Sequence, residues 1–129
     1  MTDLSMLAIL KGMQTQLSET PHLARLGRLF SETVLIEIDG EEFYLDFEKG
    51  ALTKIIQGPS RRTPWRFALR TDRSALEEFW QPYPQPGFHD IFGLVKIGRG
   101  RIDGDILALV RNLRFFKEFM ALPRSGADR

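Results

Sequence analysis

Two histidines, His22 and His89, are the side chains in this chain best suited to moving a proton near neutrality. Neither lies in a His-x-x-x-His spacing with a third donor, so a zinc or iron site is not expected. His89-Asp90 has the composition of half a proton relay. No serine sits in a nucleophile-elbow pattern to use it, and the pair reads better as a turn or a helix start. Asp103-Gly104-Asp105 opens like a calcium loop, but the later carboxylates and the closing glutamate are missing, which leaves helix capping. Gly93, Gly98 and Gly100 lack the Gly-Lys-Ser/Thr step of a phosphate loop, and the two aspartates at the next helix start would repel an anion. Cysteine is absent, which excludes disulfides, zinc-thiolate sites and thiol nucleophiles together and fits a reducing cytoplasm. The reading is therefore not an enzyme, with no cofactor and no metal.

Charge offers a second kind of chemistry. The net charge is only +1, but Glu32 to Glu48 holds seven acids and no base, whereas Arg61 to Arg73 holds five arginines and one acid. The carboxylates Glu37, Asp39, Glu41, Glu42, Asp46 and Glu48 fall on exposed strand faces and a turn, where nothing raises a pKa as a glycosidase acid requires. Arg61, Arg62, Arg66 and Arg70 around Trp65 have the ingredients of a single-strand nucleic-acid platform. On a strand, however, Trp65 points away from Arg66, which separates the charge from the stacking surface. No nucleic acid is expected; the acidic and basic segments read as neighbouring strands attracting one another.

The elements that must position these residues follow from periodicity. Leu4, Leu7, Leu10 and Met13, with Met6, Ile9 and Leu17, predict a helix from Leu4 to Leu17 capped by Asp3 or Ser5. Thr20-Pro21 opens a second, shorter helix that carries Leu23, Leu26 and Phe30 and ends near Ser31. The period then drops to two. Val34, Ile36 and Ile38, a tight Asp39-Gly40 turn, and Phe43, Leu45 and Phe47 predict a hairpin, and Ala51 to Gln57 a third strand. Trp65, Phe67 and Leu69 alternate with Arg66, Ala68 and Arg70 in a fourth strand, giving a sheet with one oily and one charged face. Asp72 caps a helix bearing Ala75, Leu76, Phe79 and Trp80, which stops at Pro82, Pro84 and Pro86. A short helix and a fifth strand from Val95 to Ile102 follow. Ile106 to Met120 then predicts the longest and oiliest helix, ended by Pro123.

The chain is one domain: residues 1–32 form helices on the common core, 33–122 the main fold, and 123–129 a frayed tail. With 43% hydrophobic residues and ten Phe, it has ample material for a core. No apolar run approaches the ~20 residues that span a bilayer, so no stable membrane insertion is expected.

Gly40-Glu41-Glu42-Phe43-Tyr44-Leu45-Asp46-Phe47-Glu48-Lys49-Gly50-Ala51-Leu52-Thr53, then Trp65 to Asp72, then Gly100-Arg101-Ile102-Asp103-Gly104-Asp105-Ile106-Leu107-Ala108-Leu109, resemble the sterol carrier protein type two domain from Val34 to Leu122. The resemblance implies an α+β fold: a five-stranded, mostly antiparallel twisted sheet with helices on one face. It also implies a tunnel for fatty acyl chains, acyl-CoA, sterols or, in some bacterial relatives, isoprenoid quinone intermediates. The stretch from Gln81 to Gly98 is longer and more aromatic than the family's usual link. The peroxisomal Ser-Lys-Leu signal of animal members is absent, which points to a bacterial cytoplasmic relative and away from sterol.

On this reading a lipid-like molecule enters an apolar cavity lined by Phe43, Leu45, Phe47, Trp65, Phe67, Leu76, Phe79, Trp80, Phe88, Phe92 and Leu107. Arg111 or Arg114 would meet its head group. The alternative is an accessory or assembly module that docks a partner enzyme or a second copy and fills its cavity with its own side chains.

Overall fold

The computed structural model describes residues 5–124. Helix α1 (Met6–Ser18) begins where the Ser5 hydroxyl accepts a hydrogen bond from the Ala8 amide at 3.1 Å, and it buries Met6, Leu10, Met13 and Leu17 along one stripe. Asp3 and Leu4, expected to begin this helix, lie outside the described residues. Helix α2 (Pro21–Leu26) has proline at its first turn but stops at Leu26, short of the expected Ser31. The Phe30 amide bonds the Gly27 carbonyl at 2.7 Å, making a turn that drives the Phe30 ring fully into the core.

Strands β1 (Thr33–Ile38) and β2 (Glu41–Glu48) form the expected hairpin. Asp39 and Gly40 both take left-handed backbone, φ 52° and 84°, which matches the twist of a two-residue hairpin. Lys49 and Gly50 repeat the device before β3 (Ala51–Gln57). Strand β4 (Phe67–Thr71) returns parallel to β1, and β5 (Gly100–Gly104) pairs antiparallel with β4. The order is β3-β2-β1-β4-β5, a five-stranded, mostly antiparallel sheet as anticipated.

Between β4 and β5 lie α3 (Arg73–Phe79), capped by Asp72, and α4 (Ile91–Lys96), capped by Asp90. The expected strand from Val95 starts only at Gly100. The Asp90 cap and Gly98 at φ 80° hold the residues between them in a helix and its closing turn. The expected single closing helix is two, α5 (Ile106–Arg111) and α6 (Leu113–Met120). Asn112 breaks it with φ −122° and ψ 27°, and its side-chain amide donates to the Ala108 carbonyl at 3.0 Å, offering the backbone an alternative to helix. Pro123 and Arg124 are not part of a tail: the Arg124 guanidinium donates to the Phe79 carbonyl at 2.6 Å and to the His89 carbonyl at 3.0 Å. The remainder of that segment lies outside the described residues.

The helices cover one face of the sheet. The opposite face is not simply charged. Leu35, Tyr44 and Ala68 are buried there under Ile56 and Trp65. The Tyr44 hydroxyl reaches Glu42 at 2.7 Å and the Ser60 carbonyl at 3.0 Å, which ties the segment after β3 across this face. Burial and the Glu42 carboxylate push the Tyr44 phenol above its ordinary pKa.

Candidate functional site

Most of the expected lining residues are brought together as a packed core. Phe43, Leu45, Phe47, Phe67, Leu76, Phe79 and Trp80 are buried in one cluster, with Phe92 against it. Phe30, Phe115, Phe116 and Phe119, which the sequence shows only as generic apolar residues, interleave with them. Phe47 meets Phe30 at 5.3 Å between ring centroids, Phe115 at 5.7 Å and Phe119 at 5.1 Å, and Phe67 meets Phe116 edge-on at 5.2 Å. Edge-to-face contact at these spacings is direct ring packing.

Trp65 departs from the expected set. It precedes β4, where the Arg66 amide bonds Thr33 and the Arg66 carbonyl accepts from Asp105, so the alternation of the strand does not extend to it. Its indole lies on the outer face, with the Arg70 guanidinium 5.8 Å from the ring centroid. The expected separation of Trp65 from basic side chains is thus corrected. Arg70 itself is engaged by Asp103 and Glu37, hydrogen bonds that raise its pKa further. Arg66 lies near Glu32 and Asp105.

Leu107 also departs: it is 55% exposed, because the short α5 turns Ala108 and Leu109 inward. Ile106 at 43% and Val110 at 51% share its exposure. Phe88 is half-buried beside the Arg99 guanidinium, 5.7 Å from the ring centroid. The Gln81 to Gly98 segment, expected at a cavity mouth, is fastened to its surroundings. The Trp80 indole donates to the Met120 carbonyl at 2.7 Å, Arg124 bridges Phe79 and His89, and the Gln85 amide bonds Glu78 at 3.0 Å.

Three of the polar candidates, Asp90, Asp103 and Asp105, have structural partners. Asp90 caps α4 and faces Lys117 at 3.3 Å; His89 is exposed. Asp105 caps α5. Hydrogen bonds from Arg101 and Arg70 hold the Asp103 carboxyl below its ordinary pKa. Among the described residues, no group of three or more His, Asp or Glu side chains is placed to hold a metal ion. None of their helices is long and apolar enough to cross a membrane.

Arg111 is exposed on α5, whereas Arg114 lines a surface pocket of about 340 Å³ with His22, Arg25, Leu26 and Arg28. The sequence displays these three α2-side bases but not that α2 packs on α6, which is what brings them to Arg114.

The element order, the β3-β2-β1-β4-β5 sheet and the one-sided helical cover are the fold of sterol carrier protein 2. A crystal structure of sterol carrier protein 2 superposes with a TM-score of 0.69 at 15% identity, over 91% of this chain and 94% of that one. The conserved protein TT1886 of Thermus thermophilus gives 0.66 at 15% identity, over 97% and 92%. UbiJ-SCP2, a ubiquinone synthesis protein, gives 0.60 at 17% identity, over 90% and 92%. The same fold matches only 15% of the sec-alkylsulfatase Pisa1 of Pseudomonas sp., with a TM-score of 0.53. No protein-family model and no curated protein matches the sequence.

Proposed function

We propose that this domain binds and releases a lipid-like apolar molecule, a fatty acyl or isoprenoid chain, without catalysing its conversion, in a cytoplasmic setting. The observation that carries this reading is α5. It spans six residues between the non-helical Asp105 and Asn112, buries only Ala108 and Leu109, and shows Ile106, Leu107 and Val110 to solvent. Three exposed apolar side chains grouped on one short helix support an interaction site there. α5 lies against β4, so displacing it uncovers the Phe67 side of the core.

The magnitudes favour such an exchange. Lifting Leu109 from the core costs about 1.5–3 kcal/mol, and each ligand methylene buried contributes about 0.8 kcal/mol. A chain of roughly ten methylenes offsets the opening with several kcal/mol left for ordering costs. The shared fold with sterol carrier protein 2 supports the same reading.

The test is mass spectrometry of lipids extracted from the purified protein, with displacement of a fluorescent fatty acid read on the parent and on Leu107→Glu. Bound lipid and displacement weakened by the substitution are expected. No co-purifying lipid and no displacement at high micromolar concentration would sink the reading.

One observation favours a second reading, an accessory module that docks a partner. The interleaved Phe30, Phe47, Phe115 and Phe119 rings occupy the interior themselves. On that reading the α5 surface meets protein, and Leu107→Glu abolishes co-purification of a partner while lipid extraction stays blank.

A further inference from the structure

The junction of α2 with α6 carries positive charge of which the lipid reading uses at most Arg114. His22 and Arg25 on α2, Arg28 in the turn after it and Arg114 on α6 line one pocket with Leu26. A second pocket, of about 420 Å³, shares Arg114 and adds Leu113, Lys117 and the acidic Glu118.

Packing fixes this arrangement. A Cβ placed on Gly27 would lie 2.5 Å from the Phe115 ring, so the end of α2 rests directly on α6. The Arg28 guanidinium also donates to the Arg25 carbonyl at 2.9 Å.

The charge is only partly answered. Glu118 lies 3.1 Å from Arg114 and 3.8 Å from His22. Among the described residues, Arg25 and Arg28 take part in no ion pair. Arg25 and Arg28 thus bring charge without a carboxylate partner to the pocket that Arg114 also lines, and planar guanidinium forks match phosphate oxygens in pairs. Leu29, next in the chain, is 85% exposed.

We propose that the α2–α6 pocket binds a phosphate or diphosphate group through Arg25, Arg28 and Arg114, with His22 at its rim. The group belongs either to a phospholipid at a bilayer surface, where Leu29 would enter the acyl layer, or to a soluble phosphorylated compound. The proposal stands apart from the apolar-ligand reading, since inorganic pyrophosphate has no apolar part and its binding succeeds or fails whatever the fatty-acid assay shows.

The test uses the full chain. Pyrophosphate is titrated by calorimetry and by amide chemical shifts, and co-sedimentation is measured with phosphatidylcholine vesicles with and without phosphatidylglycerol. The variants are Arg25→Gln with Arg28→Gln, and Arg114→Gln alone. Arg61→Gln with Arg62→Gln removes equal charge from the segment between β3 and β4 as a control. Expected are shifts confined to α2 and the start of α6, a loss of about tenfold in affinity per pocket arginine replaced, and an unchanged control.

Binding to phosphatidylglycerol vesicles that also falls on Leu29→Ser assigns the bilayer source. Pyrophosphate binding without vesicle binding assigns the soluble one. Absence of both, or equal losses in the control, overturns the proposal.

Discussion

Phe119 of α6 meets Phe47 of β2 edge to face, with ring centroids 5.1 Å apart and planes at 87°. This contact joins the last helix to the central hairpin at a place where an open tunnel was expected. Phe119→Ala is expected to cost about 3–5 kcal/mol, because both rings are buried and the void has little room to collapse. Urea unfolding of parent and variant measures it. The vacated volume should also admit small apolar dyes, so dye binding is expected to rise. A cost under about 1 kcal/mol would mean that the ring pair is not held in place.

Gly27 and Gly12 make a matched pair. Gly27→Ala forces a methyl within 2.5 Å of the Phe115 ring and is expected to destabilise by about 1–3 kcal/mol. Gly12 sits inside α1 with open space around it, so Gly12→Ala is expected to stabilise by about 0.5–1 kcal/mol through helix propensity. Thermal midpoints moving in opposite directions would confirm the close approach of α2 to α6; two shifts of the same sign would refute it.

Asp72 supplies a pH dependence. Its carboxylate accepts from Arg99 at 3.3 and 2.9 Å and from the Ala75 amide at 3.0 Å, and the Arg99 hydrogen bonds hold its pKa below the ordinary carboxylate value. A carboxyl depressed in the folded state contributes stability that is fully present above its unfolded pKa of about 3.9 and is lost as pH falls through the folded value. Asp72→Asn keeps the cap and removes the charge. The parent should therefore exceed the variant at neutral pH, and the two should converge in acid. Urea midpoints between about pH 2 and pH 7 test this, and parallel curves would exclude the linkage.

Leu107 and Leu109 are two residues apart on α5 and face opposite ways. Leu109→Ala is expected to cost about 2–5 kcal/mol, whereas Leu107→Ser should stay within about 0.5 kcal/mol of the parent. Equal costs would place Leu107 in the core, where the sequence alone suggested it belonged.

What could be read without coordinates was local. Asp39-Gly40 requires left-handed backbone and sets the hairpin register; Ser5, Asp72 and Asp105 cap helices within three residues of themselves; Pro21 opens α2. These depend on neighbours in the chain, and together with strand alternation they yielded the five-stranded sheet. Alternation misplaces Trp65 because it holds only inside a paired strand, and the pairing begins at Phe67. The apolar stripe of the closing helix runs unbroken past Asn112 and so predicts one helix, but there the side-chain amide competes for the backbone.

From the sequence came an α+β sheet fold, rich in phenylalanine, with turns and caps at defined places. Tertiary structure alone decided that Phe30, Phe115, Phe116 and Phe119 join the buried cluster, that Leu107 faces water, and that Arg25 and Arg28 line one pocket with Arg114. The reason is range: turns and caps are settled by energies between near neighbours, while cavity, surface and charge cluster depend on contacts between residues dozens of positions apart.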